Sequence, residues 1–322
     1  MYRGEHLEFE FEYRDPWEHI LTLVHDSSLA SVSSWNSIQK FYCYRADSGE
    51  HVEERIIDEP NTADTWWEID VSAGSHPSYI LTDSVLQSSL PDNGPYPHCY
   101  LPLHFWLDKG LVTRRVKKYP MILRAAWLPR NIRNASGNGG GILLGYMPIV
   151  SHNTNVYYAL STYCNKIEDP AHPSDRGTAE TLEFAHFKRE VYQKVLGRIF
   201  ASLKPHSQCG DTHHCNDNIT RILYPGVLIG SQDGEEASYF CACRAATANY
   251  PCPKCLVHKS NLSNITMTFE PRTSESMQSV LERASQATSK TRKEKILQDH
   301  GLHDIKVRAI SNVSSWNLMA WI

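Results

Sequence analysis

The chain has 322 residues, 41% of them hydrophobic and 21% charged, with a net charge of −4. That is enough for one large or two modest domains of ordinary globular composition. No apolar run reaches the length of a membrane span, and the opening Met1-Tyr2-Arg3-Gly4-Glu5 lacks the apolar core of a secretory leader.

From the N-terminus, Asp15-Pro16 reads as a helix start before Trp17-Glu18-His19-Ile20-Leu21. Residues 1–98 form an acidic region: Met1 to Asp70 carries 16 acidic against 5 basic residues. Residues 47–98 are rich in Asp, Glu, Pro, Ser and His, so the expectation there is irregular chain, with Trp66 and Trp67 as its core candidates.

A clearer rhythm begins near Tyr100. Leu101 to Leu107 reads as a strand ending in Asp108 and a Lys109-Gly110 turn. Tyr119 to Trp127 reads as a second strand, the glycine-rich 134–141 stretch as a hairpin turn, and Ile142 to Val150 as a third strand. Lys109 to Ile167 contains nine Lys or Arg and no acidic residue, a positive middle that suits a phosphate backbone or a solvated face.

The period then changes. Phe187, Val191, Val195, Ile199 and Leu203 recur at steps of four, which predicts a helix over 179–203 of about seven turns. Arg221 to Ile229 reads as a fourth strand, closely followed by Asp233. Strand, strand, strand, helix, strand is the order of a meander followed by a right-handed crossover, which returns the fourth strand parallel to the first. The predicted fold class is therefore α/β, an RNase H-like mixed sheet over residues 99–240, with Asp108 and Asp233 at neighbouring strand ends. Two such carboxylates hold divalent metals for phosphoryl transfer. The bland alternative makes each the first residue of a turn.

Nine cysteines, clustered late, argue against a paired secretory disulfide framework and for metal or free thiols. Over 241–270, Cys252-Pro-Lys-Cys255 has the spacing of a zinc knuckle. Structural Zn²⁺ needs two further ligands; Cys241, Cys243 and His258 are nearest, Cys209, His213, His214 and Cys215 form a second source, and buried or redox thiols are the alternative. Residues 274–300 read as helix, with Met277, Val280, Leu281 and Ala284 on one face and Gly301 as its stop. Its Lys290–Lys295 run suits DNA contact or a solvated face.

A series of short motifs runs through these elements: Phe-Glu-Tyr-Arg-Asp-Pro-Trp (11–17), Leu-Asp-Lys-Gly (107–110), Arg-Asn-Ala-Ser-Gly-Asn-Gly-Gly-Gly (133–141) and Phe-Lys-Arg-Glu-Val-Tyr (187–192). It continues with Leu-Tyr-Pro-Gly (223–226), Ser-Gln-Asp-Gly-Glu-Glu (231–236), Cys-Pro-Lys-Cys-Leu-Val (252–257) and Glu-Pro-Arg-Thr (270–273). Together they resemble the Plavaka family of fungal transposases, relatives of the CACTA-type elements, from about Leu7 to Lys306.

The resemblance implies a nuclear, cut-and-paste transposase whose partners are DNA at the element ends and further transposase chains. It further implies Mg²⁺ or Mn²⁺ held by three acidic residues, of which Asp108 and Asp233 match by motif. Gly110 stands where Thr is more usual. The third acidic residue is expected well beyond Gly301-Leu-His-Asp-Ile-Lys306, whereas 307–322 is divergent. Residues 151–170 look inserted, and the family's N-terminal cysteine-rich finger is not seen. The expectation is thus a transposase fragment, inactive for want of the third carboxylate. Its alternative is a non-catalytic, zinc-stabilised module that binds DNA or other transposase chains.

Overall fold

Asp15 opens the first helix, α1 (Pro16–Val24): its Oδ1 accepts from the amides of Trp17 and Glu18, and Pro16 fills the first turn, where a missing N–H costs nothing. The helix buries Trp17, Ile20, Leu23 and Val24. This is a computed structural model, which describes residues 11–72, 96–111, 117–152, 166–169, 178–246 and 248–305.

The acidic region is more regular than its composition suggests. Strands β1 (Lys40–Arg45) and β2 (His51–Ile56) pair as an antiparallel hairpin, and helix α2 (Asp64–Ser72) follows a short 3-10 turn. The irregular reading of 47–98 is thereby corrected up to Ser72, while 73–95 lie outside the described residues. No residue of the hairpin strands is buried, so no alternation of buried apolar and exposed polar residues announces it. Gly49, at φ +83, closes its turn.

Asp70 ties this region down. Its carboxylate is buried and accepts from the Ser37 amide and hydroxyl, both at 2.7 Å, and from Trp66 Nε1 at 3.2 Å. Asp70→Ala leaves three buried donors without their acceptor, and is expected to cost about 2–4 kcal/mol in urea denaturation. A loss below about 1 kcal/mol would contradict the pinning role.

The centre is a five-stranded mixed sheet. Along the chain come β3 (His98–Leu107), the two-residue pair β4 (Gly110–Leu111) and β5 (Lys117–Lys118), then β6 (Pro120–Ala125), the single-turn helix α3 (Arg130–Arg133) and β7 (Ile142–Tyr146). The sheet stops at Tyr146, before Pro148; Ile149, expected to continue the third strand, instead begins β8 (Ile149–His152), which pairs in parallel with β9 (Lys166–Asp169). Residues 153–165, most of the stretch that looks inserted, lie outside the described residues.

The long helix forms as predicted. α4 (Thr178–Ile199) buries Phe184, Phe187, Val191, Val195, Leu196 and Ile199. It stops short of Leu203 because Pro205 has no N–H to continue the ladder; α5 (Leu203–Cys209) restarts after Ser202. Strands β10 (Asp211–His214) and β11 (Thr220–Ser231) follow, then α6 (Gly234–Phe240).

The sheet order is β10-β11-β3-β6-β7, with β11 parallel to β3 and the other neighbours antiparallel. The meander and crossover of the sequence reading are therefore present in a mixed α/β fold. Pro102 and Pro225 sit in the two central strands, yet neither breaks them. β6 pairs with β3 only from Leu103 onward, and β10 pairs with β11 only up to Leu223, so each proline faces a gap in the neighbouring ladder. Leu103, Phe105 and Leu107 project into the core, where Phe105 meets Phe200 edge-on at 5.1 Å, while His104 and Trp106 on the opposite pleat stay half-exposed.

The predicted 274–300 helix is two helices, α7 (Ser274–Ser285) and α8 (Lys290–Asp299). Ser289 accepts from the Arg292 amide and caps the second, so a local side-chain bond wins over continuation. Gly301 ends α8 at φ +61, as expected.

Candidate metal centre

Parallel pairing of β3 with β11 fixes the site. Ser231 stands opposite Trp106, and two residues further along each strand come Asp233 and Asp108. The two carboxylates thus leave neighbouring strands at the same end of the sheet. Asp233 also caps α6, its Oδ1 accepting from the amides of Glu235 at 2.8 Å and Glu236 at 2.9 Å.

That cap turns the first turn of α6 back over the strand ends and brings in Glu236, which the sequence reading missed. Ligand oxygens of Asp108, Asp233 and Glu236 all lie within 4.8 Å of one another. Glu236 is only 1% exposed. Its Oε1 accepts from the Tyr119 hydroxyl, and its Oε2 has no hydrogen-bond partner among the described residues. A buried carboxylate oxygen without a donor costs several kcal/mol unless a cation or proton meets it (about 1–3 kcal/mol even for a neutral group). Three hard oxygen donors in one cluster, one of them orphaned and buried, fit Mg²⁺ or Mn²⁺. The missed signal was the helix cap: with Asp233 at the cap position, a carboxylate three residues later sits in the first turn beside it.

The surroundings are aromatic and polar. Burial, followed by the negative charges of Glu235, Asp233 and Asp108, pushes the Tyr119 phenol well above its ordinary value. It therefore stays protonated and donates. The Lys109 ammonium lies 5.4 Å over its ring. Tyr192, raised mainly by burial, leaves its hydroxyl without a partner among the described residues. The same holds for both amide atoms of Gln232, immediately before Asp233. Polar atoms left bare beside the carboxylates are what a polar ligand would satisfy.

His104 lies on the same strands, bonded to Ser231 Oγ at 2.8 Å. Burial first, then Arg124 and Arg133, hold it down to about 4. The unfolded imidazole, with its ordinary 6.5, binds protons over a range where the folded one does not. Stability from this group is therefore complete above pH 6.5 and is lost as pH falls towards 4. His303, held down to about 3 chiefly by burial, acts with the same sign. Urea denaturation at neutral pH and near pH 5 is expected to show that loss, reduced in His104→Asn; an equal loss in both proteins would contradict it.

The cysteines do not assemble as expected. Among the described residues, the acidic trio is the only group of three or more His, Cys, Asp or Glu close enough to share an ion. Cys252 and Cys255 lie together across their turn, and burial with the neighbouring Cys252 thiol contributes to raising the Cys255 thiol. Cys241 and Cys243, however, are buried in the hydrophobic core at the end of α6. His258 turns its Nδ1 to Ser260, capping a 3-10 turn. Cys209 is exposed and Cys215 buried, while His213 is engaged by Asp211 at 3.0 Å. Among the described residues, the donor set for a closed four-ligand Zn²⁺ site is not brought together.

Arg272 holds the Cys252–Cys255 turn instead. The buried guanidinium donates to three backbone oxygens: Cys252 from Nε at 2.8 Å, His300 from Nη1 at 2.5 Å and Tyr250 from Nη2 at 3.1 Å. Its own amide donates to Lys254 O at 2.8 Å, and Cys255 bridges to Pro271.

A family model described as Plavaka transposase matches residues 3–313, past the Lys306 at which the motif resemblance ends. No curated protein matches the chain. Among the described residues, no helix is long and apolar enough to cross a membrane.

Proposed function

The chain belongs to the Plavaka transposase family, and from that membership we propose that it acts in the nucleus on DNA at the ends of a transposable element, by metal-dependent cleavage and strand transfer. The observation that carries this reading is the convergence of Asp108, Asp233 and Glu236 at the ends of two parallel strands. The strand–strand–strand–helix–strand order supports an RNase H-like core for it.

Asp108, Asp233 and Glu236 would hold Mg²⁺ or Mn²⁺. Such an ion, when bound, polarises the phosphodiester and lowers the pKa of an attacking water or hydroxyl. The chain's own residues orient the site. The Tyr119 hydroxyl fixes Glu236, the α6 amides fix Asp233, and β3 carries Asp108 in register with β11. Lys109 adds positive charge next to Asp108, where a phosphate oxygen would lie. The expectation of an inactive fragment rested on two carboxylates; Glu236 supplies a third oxygen donor, so we place the activity in this chain itself.

One observation favours the alternative of a non-catalytic DNA-binding or transposase-interaction module. Asp233 commits Oδ1 to capping α6 and Glu236 commits Oε1 to Tyr119, which leaves fewer oxygens for metal. The assay that separates the two uses labelled duplexes carrying the terminal repeats of the element, with Mn²⁺. Nicking by the wild-type chain that disappears in Asp108→Asn is the expected result. Salt-dependent DNA binding with no nicking would replace the enzyme with the module.

A further inference from the structure

A cleft of about 750 Å³ opens on the other side of α6 from the carboxylate cluster. Its walls are Ser238 and Tyr239 of α6, Arg189 of α4, Pro251 and Pro253 before and inside the cysteine turn, and the exposed Leu262. The volume lies within the range of small-ligand sites, and the lining is largely apolar with a few polar groups. One seven-residue helix serves both places, since Glu236 faces the strand ends while Glu235 and Tyr239 line the cleft.

Arg189 is the informative residue. Its guanidinium lies 5.6 Å over the Tyr239 ring, and among the described residues it makes no hydrogen bond or ion pair. Burial lowers its pKa below the ordinary arginine value, although it remains a cation at any working pH. A half-buried cation with all its donors unspent, stacked on a half-buried tyrosine and flanked by two prolines, asks for a flat, polarisable ligand with acceptor atoms on its edge. A nucleobase has that chemistry: a π-face for the tyrosine, and ring nitrogens and carbonyl oxygens for the guanidinium N–H groups. An unstacked base also has apolar faces for Pro251 and Pro253.

We propose that this cleft receives one unstacked base of the DNA strand whose phosphodiester lies at Asp108, Asp233 and Glu236. This rests on the DNA-cleaving reading above. The base is drawn out of the stack onto the Tyr239 side of the cleft, Arg189 donates to its edge, and its extraction holds the neighbouring phosphate still against the carboxylates. Extraction costs least where the base is already unpaired, so frayed or single-stranded positions next to the cut are bound best.

The test uses the full chain and duplexes of the element end in Ca²⁺, with 2-aminopurine placed in turn at each position around the nick. One position is expected to change its fluorescence severalfold on binding, and the change is expected to vanish in Tyr239→Leu and to persist in Tyr239→Phe. Tyr239→Leu is also expected to bind DNA with an unpaired base at that position about tenfold more weakly. It should bind DNA that is abasic there as the wild type does, which shows that the variant is folded. If no position responds while Asp108-dependent nicking persists, the base pocket is overturned and the cleavage reading stands. If nicking is absent or survives Asp108→Asn, the reading beneath fails, whatever the fluorescence does. Equal weakening on abasic and intact DNA would also overturn the pocket, because the loss would then lie in the fold or the backbone contacts.

Discussion

Glu236→Gln is expected to stabilise the metal-free protein and to abolish its stabilisation by Mn²⁺. Three carboxylates within 4.8 Å repel one another, and one of them is almost wholly buried with an oxygen lacking any partner among the described residues. Glutamine keeps the shape and still accepts from Tyr119, but removes a buried negative charge. The melting temperature without metal is expected to rise by about 1–3 °C. In wild type, Mn²⁺ at about a hundredfold over its Kd is expected to add about 2.7 kcal/mol, because the ion binds the folded form alone. In Glu236→Gln that gain should shrink to a small fraction. A site destabilised by its own function shows this opposed pair of effects. Loss of stability in both conditions would instead make Glu236 an ordinary structural acid.

Arg272→Met carries the second large effect. Arg272 is 1% exposed and bonded to the carbonyls of Tyr250, Cys252 and His300. Hydrogen bonds from a charged donor contribute about 1.5–3 kcal/mol each, and the variant strands three carbonyls together. The contributions overlap, so the expected loss is about 3–5 kcal/mol rather than their sum. Gly301 shows how little space surrounds the guanidinium: a Cβ there would lie 2.8 Å from Nη2 and 2.3 Å from Tyr250 O. Chelation separates this staple from a metal staple. EDTA is expected to leave the 245–270 segment resistant to proteolysis, whereas Arg272→Met exposes it. Release of the segment by EDTA alone, restored by Zn²⁺, would return the cysteines to a ligand role.

How far the sequence carries the structure follows from where its patterns are local and where they are not. The α4 stripe from Phe184 to Ile199 is a local pattern on a long element, and it is buried as predicted. The parallel pairing of β11 with β3 follows from element order and handedness, so Asp108 and Asp233 were legible 125 positions apart. Glu236 was not, because its place depends on Asp233 capping α6, a helix the sequence reading did not predict there. The β1–β2 hairpin was hidden because both of its faces meet solvent and its residues need no alternation. The expected cysteine ligand set is not gathered among the described residues, for a different reason. Sequence proximity put Cys241, Cys243 and His258 near Cys252, but the end of α6 carries the first two into the core and a turn points the third away.

If the carboxylate trio is a cation site, the protein binds the ion without DNA, and that binding can be counted directly. Titrating the full chain with Mn²⁺ and following the free ion by electron paramagnetic resonance counts bound cations without any DNA. At least one bound Mn²⁺ per chain is expected, displaced by Mg²⁺ and weakened tenfold or more (about 1.4 kcal/mol) in Asp108→Asn. Stoichiometric binding that Asp108→Asn leaves unchanged, or no binding at millimolar Mn²⁺, would contradict the cation site.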